Sequence, residues 1–199
     1  MQNIINRVEF IKSAYSAAQF PPERLSEVAF AGRSNAGKSS ILNAVLSRRN
    51  LVKTSSRPGF TQAINFFMAD ERIFFVDLPG YGFAKAPKEM QGGWKTLIEG
   101  YFQSQRDIRA VICIFDIRRM PDQMDTGLLD YLGALGINAL IVLNKADKIP
   151  QPKRIAQTNA IISAFNPIAL ASGSPLLVSA RTGEGISELL ARISLLLLS

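Results

Sequence analysis

The chain has 199 residues, 47% of them hydrophobic and 20% charged, the balance of a single domain that can bury its own core. One cysteine excludes an internal disulfide framework, and the absence of histidine excludes Ser-His-Asp and Cys-His nucleophile systems and every histidine metal site. Lys+Arg total 23 against 16 Asp+Glu, and the whole excess falls in residues 1–119, which predicts a partner carrying phosphates or a merely solubilising surface.

In chain order, Asn3–Phe20 ends at Pro21-Pro22 and reads as an edge strand or arm, so residues 1–22 are expected to form an extension packed on one domain spanning 23–199. Glu27–Ala31 reads as a strand and Lys38–Leu46 as a helix. Ala63–Met68 and Ile73–Val76 read as two strands, antiparallel because only Ala69-Asp70-Glu71-Arg72 separates them. Val111–Phe115 and Ala139–Leu143 are apolar throughout, as strands covered on both faces are. Pro175–Val178 reads as a last strand. Helices are expected at Gly92–Gln105, Asp122–Leu135, Lys153–Ala164 and Ile186–Leu198. The last carries Ile186, Leu189, Leu190, Ile193, Leu196 and Leu197 on one face. Strands alternating with helices predict an α/β/α three-layer fold with a mostly parallel sheet and one antiparallel strand. Met1–Phe20 lacks the apolar stretch of a secretory leader, and no run of about 18 apolar residues is present. Residue 2 is Gln and no cysteine lies near the end, so no lipid anchor is signalled. A cytoplasmic protein without a membrane partner is expected.

Gly32-Arg33-Ser34-Asn35-Ala36-Gly37-Lys38-Ser39 fits G-x-x-x-x-G-K-[ST] between a predicted strand and a predicted helix, the context that gives this motif meaning. Glycines let backbone amides turn toward phosphate oxygens, and the helix N-terminus adds about half a positive charge. Lys38 reaches the β- and γ-phosphates, and the Ser39 hydroxyl suits Mg²⁺. Asp77-Leu78-Pro79-Gly80 ends a strand, where Asp77 can hold a Mg²⁺ water and the Gly80 amide can meet a γ-phosphate. Alone, that tetrapeptide is as readily a plain turn.

Asn144-Lys145-Ala146-Asp147 follows the apolar strand Ala139–Leu143. An aspartate there can accept from guanine N1–H and its exocyclic amine, a donor pair that adenine lacks. The Lys145 stem can lie along the base, and Asn144 can tie this loop to the phosphate loop. Val178-Ser179-Ala180 would offer backbone amides to guanine O6. By itself the tetrapeptide could be a capped strand-to-helix turn. In this order after the phosphate motif, it reads as a guanine site.

These motifs resemble those of P-loop GTPases of the translation-factor-related branch, and most closely the EngB (YihA/YsxC) family. The residues carrying the resemblance are Glu27–Ser40, Arg57-Pro58-Gly59-Phe60-Thr61-Gln62, Asn65-Phe66-Phe67, Val76–Ala84 and Asn144–Lys148. The resemblance implies a Ras-like G domain that hydrolyses GTP and assists assembly of the large ribosomal subunit, in a family linked to cell division and septation. It implies that Gly59, Phe60, Thr61, Gln62 and Ala63, with Asp77, Leu78, Pro79 and Gly80, line the nucleotide. It selects Thr61, over Thr54, Ser55 and Ser56, as second Mg²⁺ ligand and γ-phosphate sensor. Lys38, Thr61 and Gly80 are then the catalytic set. The partners implied are GTP, GDP and the large ribosomal subunit with its RNA, without DNA, for a monomer. Asn144, Phe60 and Ser179-Ala180 depart from the usual family pattern.

Tyr81 stands where Ras-like proteins keep a water-orienting glutamine, so intrinsic hydrolysis is expected to be slow. K⁺ is a candidate to supply the missing charge through Asn35, which otherwise only shapes the loop. Cys113 reads as inert core and Trp94 as a packing residue. Arg48, Arg49, Lys53 and Arg57 form a basic stretch that is either solvated or an RNA site. Two functions remain open: an assembly GTPase docked on ribosomal RNA, or a GTP-controlled module that binds protein without direct RNA contact.

Overall fold

The structure is a computed structural model that describes residues 5–22, 25–48, 51, 63–82, 88–165 and 173–198, with residues 88–94 as backbone only. Among the described residues, seven strands form one sheet in the order β1-β3-β4-β2-β5-β6-β7. They are β1 (Val8–Ala14), β2 (Ser26–Gly32), β3 (Ile64–Ala69), β4 (Ile73–Asp77), β5 (Ile108–Asp116), β6 (Ala139–Asn144) and β7 (Leu176–Leu177). Only β3 runs against the rest, because it pairs antiparallel with both β1 and β4. The helices are α1 (Lys38–Val45), α2 (Lys88–Phe102), α3 (Gln123–Ala134), α4 (Gln151–Ser163) and α5 (Ile186–Leu198).

The sheet's alternation divides the core in two. Ala29 and Ala31 of β2, with Val111, Cys113 and Phe115 of β5, pack with Leu97, Tyr101, Leu129, Leu132 and Ile161 of α2, α3 and α4. Val28, Phe30, Ile112 and Ile114 face Ile41, Leu42, Val45, Leu189 and Ile193 of α1 and α5. Burial pushes the Cys113 thiol pKa up, which keeps it protonated and inert.

Element bounds depart from sequence expectation where side chains or tertiary bonds decide. Helix α2 starts at Lys88 despite Gly92-Gly93 and stops at Phe102, shortly before Gln105 takes φ 54°. Asp122 is the N-cap of α3 rather than its first residue: it accepts from the Met124 and Asp125 amides while Asp125 accepts from the Asp122 amide. Strand β7 is two residues long, since Pro175 has no amide to donate. The β3–β4 turn places both Asp70 and Glu71 at positive φ, the type I′ geometry that suits strand twist. The Asp70 carboxylate also accepts from the Asn6 and Arg7 amides, fastening the segment before β1.

A second fastening lies at the amino ends of the parallel strands. Glu27 is fully buried, accepts from Tyr101 Oη at 2.6 Å and pairs with Arg106. Arg106 also donates to the Pro21 carbonyl at 2.8 Å and lies over the Phe66 and Phe74 rings. The opposite edge gathers the carboxyl ends of β2, β4, β5 and β6, at Gly32, Asp77, Asp116 and Asn144. Ligands of open α/β sheets bind at such an edge, where the strand order reverses around β2.

Candidate nucleotide site

The loop from Gly32 to Ser39 joins β2 to α1. A Cβ on Gly32 would stand 2.7 Å from the Ile114 carbonyl oxygen, so only glycine lets β2 run this close to β5. Asn35 and Gly37 take φ 64° and 96°, which turns the loop back on itself. Gly37 is the N-cap of α1 and brings no side-chain cap, so the first helical amides keep their donors for another acceptor. A Cβ on Gly37 would strike Asn144 Nδ2. Gly37→Ala therefore combines left-handed strain with displacement of Asn144, and urea unfolding is expected to show a loss of about 1–3 kcal/mol.

Asp77 ends β4 with its Oδ1 on Lys38 Nζ and its Oδ2 3.4 Å from Asn65 Nδ2. The chain then returns to the phosphate loop. Leu78 N donates to Phe30 O at 3.0 Å, and Ser34 N donates to Tyr81 O at 3.1 Å. A Cβ built on Gly80 would lie 3.5 Å from Gly32 O and from Ser34 N, so Gly80 rests on the loop. Pro79 is buried beside it. Ala63 is buried just before β3, whereas Gly59, Phe60, Thr61 and Gln62 lie outside the described residues. So do Arg49, Lys53, Thr54, Ser55, Ser56, Arg57 and the Trp94 side chain. Arg48 is exposed and donates to the Asn6 carbonyl at 3.0 Å.

Tyr81 turns away from the phosphate edge. Its hydroxyl is buried and donates to Asp125 Oδ1 at 3.0 Å, and burial with the Asp125 charge holds the phenol protonated far above its ordinary pKa. Arg33 pairs with Asp122 and stands 3.7 Å from Asp125. The two carboxylates that cap α3 thus also anchor one residue of the phosphate loop and one of the segment after Asp77.

Asn144 joins the second motif to the first. Its Nδ2 donates to Ala36 O at 2.9 Å, and its Oδ1 accepts from Ala180 N at 3.3 Å. Lys145 takes φ 66° and donates from Nζ to Asn35 O at 2.6 Å. Asp147 accepts from Ser179 Oγ at 2.8 Å through Oδ1. Its Oδ2 has no hydrogen bond among the described residues and stands 3.4 Å from Lys148 Nζ and 3.6 Å from Arg181 Nε. The Ser179 bond, then Lys148 and Arg181, hold the Asp147 carboxyl below its ordinary pKa, so it is an ionised acceptor at neutral pH. Ala146 is buried and its amide donates to Val178 O at 3.1 Å.

Two of the three amides expected at guanine O6, those of Val178 and Ser179, have backbone partners. Val178 N donates to Leu143 O and Ser179 N to Glu184 O, both at 2.9 Å. These bonds hold β7 and the following turn, which leaves the Ala180 amide, on its longer bond to Asn144, for an incoming acceptor.

Asp116, at the end of β5, was not among the residues singled out in the sequence. It accepts from Lys145 Nζ at 2.9 Å, from the Arg118 guanidinium at 2.9 and 2.6 Å and from the Arg118 amide at 3.1 Å. Burial alone would raise its pKa; the Arg118 and Lys145 bonds win and hold it well below the carboxylate range. The sequence signal was an aspartate closing an all-apolar strand, as Asp77 does. Asp116 is ionised at lower pH in the folded than in the unfolded chain. Its contribution to stability is fully present above its ordinary 3.8 and is lost as pH falls below that value. Asp116→Asn should therefore show a shallower loss of stability on acidification between about pH 4 and 2 than the parent, by thermal unfolding.

Asp116, Arg118, Lys145 and residues 33–36 line a cleft of about 150 Å³ between the phosphate loop and the β5–α3 connection. A larger cavity, about 580 Å³, lies among β1, the β3–β4 turn and α5 and touches none of the motif residues.

Residues 27–145 match the family described as 50S ribosome-binding GTPase. A probable GTP-binding protein EngB from Citrifermentans bemidjiense is 42% identical over 98% of this chain and 89% of its own length. The protein of the same name from Syntrophotalea carbinolica is 43% identical over 97% and 92%. The crystal structure of a probable GTP-binding protein engB superposes with a TM-score of 0.71 at 26% identity, covering 86% of this chain and 98% of the other. The FeoB G domain of Methanococcus jannaschii, at 21% identity and a TM-score of 0.55, shares the fold. Similarity at this identity along nearly the whole chain means that it belongs to the EngB family of GTP-binding proteins, among the 50S ribosome-binding GTPases.

Proposed function

We propose that the chain is a GTP-hydrolysing switch that docks on the large ribosomal subunit during its assembly, with the link to cell division that the family resemblance implies. The observation that carries this reading is the junction of the two motifs. Asn144 and Lys145 bond to Ala36 O and Asn35 O, while Asp147 keeps one ionised oxygen without a hydrogen bond among the described residues. A guanine held by Asp147 would have its phosphates delivered to the loop that the same segment supports.

Each residue then has a defined task. The amides of Asn35, Gly37 and the first turn of α1, with the Lys38 charge, face the phosphates, while the Ser34 and Ala36 amides hold the loop's own shape. The Gly80 amide meets the γ-phosphate. Asp147 accepts from the guanine N1–H and amine, Ala180 N donates to O6, and the Lys145 stem covers the base. The candidate metal donors are oxygens: the Ser39 hydroxyl, the Thr61 hydroxyl and the Asp77 carboxylate through a water. That set suits Mg²⁺, which keeps several waters and relies on phosphate oxygens for the rest. Bound there, Mg²⁺ neutralises charge on the β- and γ-phosphate oxygens.

The Tyr81 hydroxyl is engaged with Asp125 and cannot align a water for attack, so intrinsic hydrolysis is slow. In this reading the Asn35 side-chain oxygen would be one ligand of a K⁺ ion, which would supply the missing charge. Single-turnover hydrolysis should be faster in KCl than in NaCl at equal ionic strength, and Asn35→Ala should abolish that preference. Equal rates in the parent would reject the K⁺ site.

Co-sedimentation with 50S subunits tests the ribosomal reading. Binding should be tighter with a non-hydrolysable GTP analogue than with GDP, and should fall steeply as salt rises, because contacts to RNA phosphates release counterions. A shallow salt dependence would favour a protein-only interface, and no binding in either nucleotide state would overturn the proposal.

A further inference from the structure

Ser13 on β1, Asn65 on β3 and Asp77 on β4 stand opposite one another across three neighbouring strands. The register pairs Ser13 with Asn65, and Asn65 with Asp77. Directly opposed residues of antiparallel strands share a face of the sheet, so the three side chains form a row. The row is bonded end to end: Ser13 Oγ lies 2.6 Å from Asn65 Oδ1, and Asn65 Nδ2 lies 3.4 Å from Asp77 Oδ2. The other oxygen of Asp77 meets Lys38.

The direction of the row follows from donor chemistry. A side-chain amide has an oxygen that only accepts and a nitrogen that only donates. An ionised carboxylate only accepts, so it requires the amide nitrogen on its side. The Asn65 oxygen is then left facing Ser13, whose hydroxyl is able to donate to it. Reversing the amide would set two acceptor oxygens against each other at Asp77.

We propose that Asn65 is a positioning residue for the divalent-cation site. It holds the Asp77 carboxylate in its orientation beside Lys38 and the start of α1, and Ser13 holds Asn65. The inference rests on the reading of Asp77 as the carboxylate that binds a water of Mg²⁺. Groups that orient a metal-site carboxylate in this way tune metal affinity by about 10–100-fold, and the long Asn65–Asp77 bond points to the lower end. The proposal also gives β1 a task at the nucleotide edge, although two strands separate it from β2.

Release of a fluorescent GDP analogue, measured over a series of Mg²⁺ concentrations, tests it. In the parent, Mg²⁺ should slow release. In Asn65→Ala the Mg²⁺ concentration for half-maximal slowing should rise about tenfold, while release in EDTA keeps the parent rate. Ser13→Ala should shift the midpoint the same way by roughly twofold, Ser13→Thr should leave it in place, and Ser13→Ala should add nothing to Asn65→Ala. An unchanged midpoint in folded Asn65→Ala overturns the proposal. So does a rise in the EDTA rate by the same factor, which would mark a general loosening of the fold. Should Asn65→Ala fail to fold, the Ser13→Ala midpoint decides by the same criterion. A parent whose GDP release ignores Mg²⁺ overturns the metal reading of Asp77 and Ser39 itself, an outcome the parent measurement alone reveals.

Discussion

Asp147→Asn is expected to weaken GTP binding by on the order of 10²–10⁴-fold and to admit xanthosine triphosphate. The carboxylate is fixed by Ser179 on one oxygen and presents the other without a hydrogen bond among the described residues. Guanine fills it with two donors, each a bond to a charged acceptor worth about 1.5–3 kcal/mol. An asparagine presents at most one acceptor and a donor, so one guanine donor loses its partner and faces an N–H instead. Xanthine carries an oxygen where guanine has its amine and restores the match. Isothermal titration with both nucleotides on parent and variant decides the matter. A variant that binds GTP like the parent would remove Asp147 from base recognition. The fold should tolerate the change, since Asn144, not Asp147, bonds the motif to the phosphate loop.

Glu27→Ala is expected to cost about 3–5 kcal/mol of unfolding free energy, read from the urea midpoint. Deleting the carboxylate would remove the buried charge that Arg106, itself only 9% exposed, and the Tyr101 hydroxyl both meet. The pair is enclosed by Phe20, Phe66, Phe74 and Tyr101, so water cannot replace it cheaply. Arg106 would keep its hydrogen bond to the Pro21 carbonyl. Glu27→Gln should cost less, because the amide oxygen can still accept from Tyr101. Nucleotide affinity should hardly change in folded Glu27→Gln, as Gly32 lies five residues along β2, roughly 17 Å away. A Glu27→Ala loss below about 1 kcal/mol would mean that the apolar shell carries this junction without the ion pair.

The contrast between these two sites shows what a sequence exposes. Asp147 stood out because its pattern is local: four consecutive residues after an apolar strand suggest an acceptor for a base. Strands β5 and β6 were legible for a similar reason, as Val111–Phe115 and Ala139–Leu143 have no polar residue and can only be buried. Glu27 read as no more than the first residue of a strand, because its partners Tyr101 and Arg106 are more than 70 residues away. The roles of Asp116, Asp122 and Asp125 needed the fold as well, since Lys145 and Arg33 come to them from distant parts of the chain. The amides of Val178 and Ser179 were misjudged because whether an amide is free depends on the ladder and turn around it. Asn65 was visible as part of the family motif, but its orientation needs the register of three strands.

Strand order also has a consequence for the chain as it emerges during synthesis. The first two strands made, β1 and β2, have no hydrogen-bonding partner in each other. Strand β1 waits for β3, and β2 waits for β4 on one side and β5 on the other. The earliest pair available is the β3–β4 hairpin, closed by the three residues 70–72, and it offers one free edge to each of the earlier strands. A nascent chain halted before Ile64 therefore carries two strands without their sheet partners, and adding the hairpin gives both a template at once.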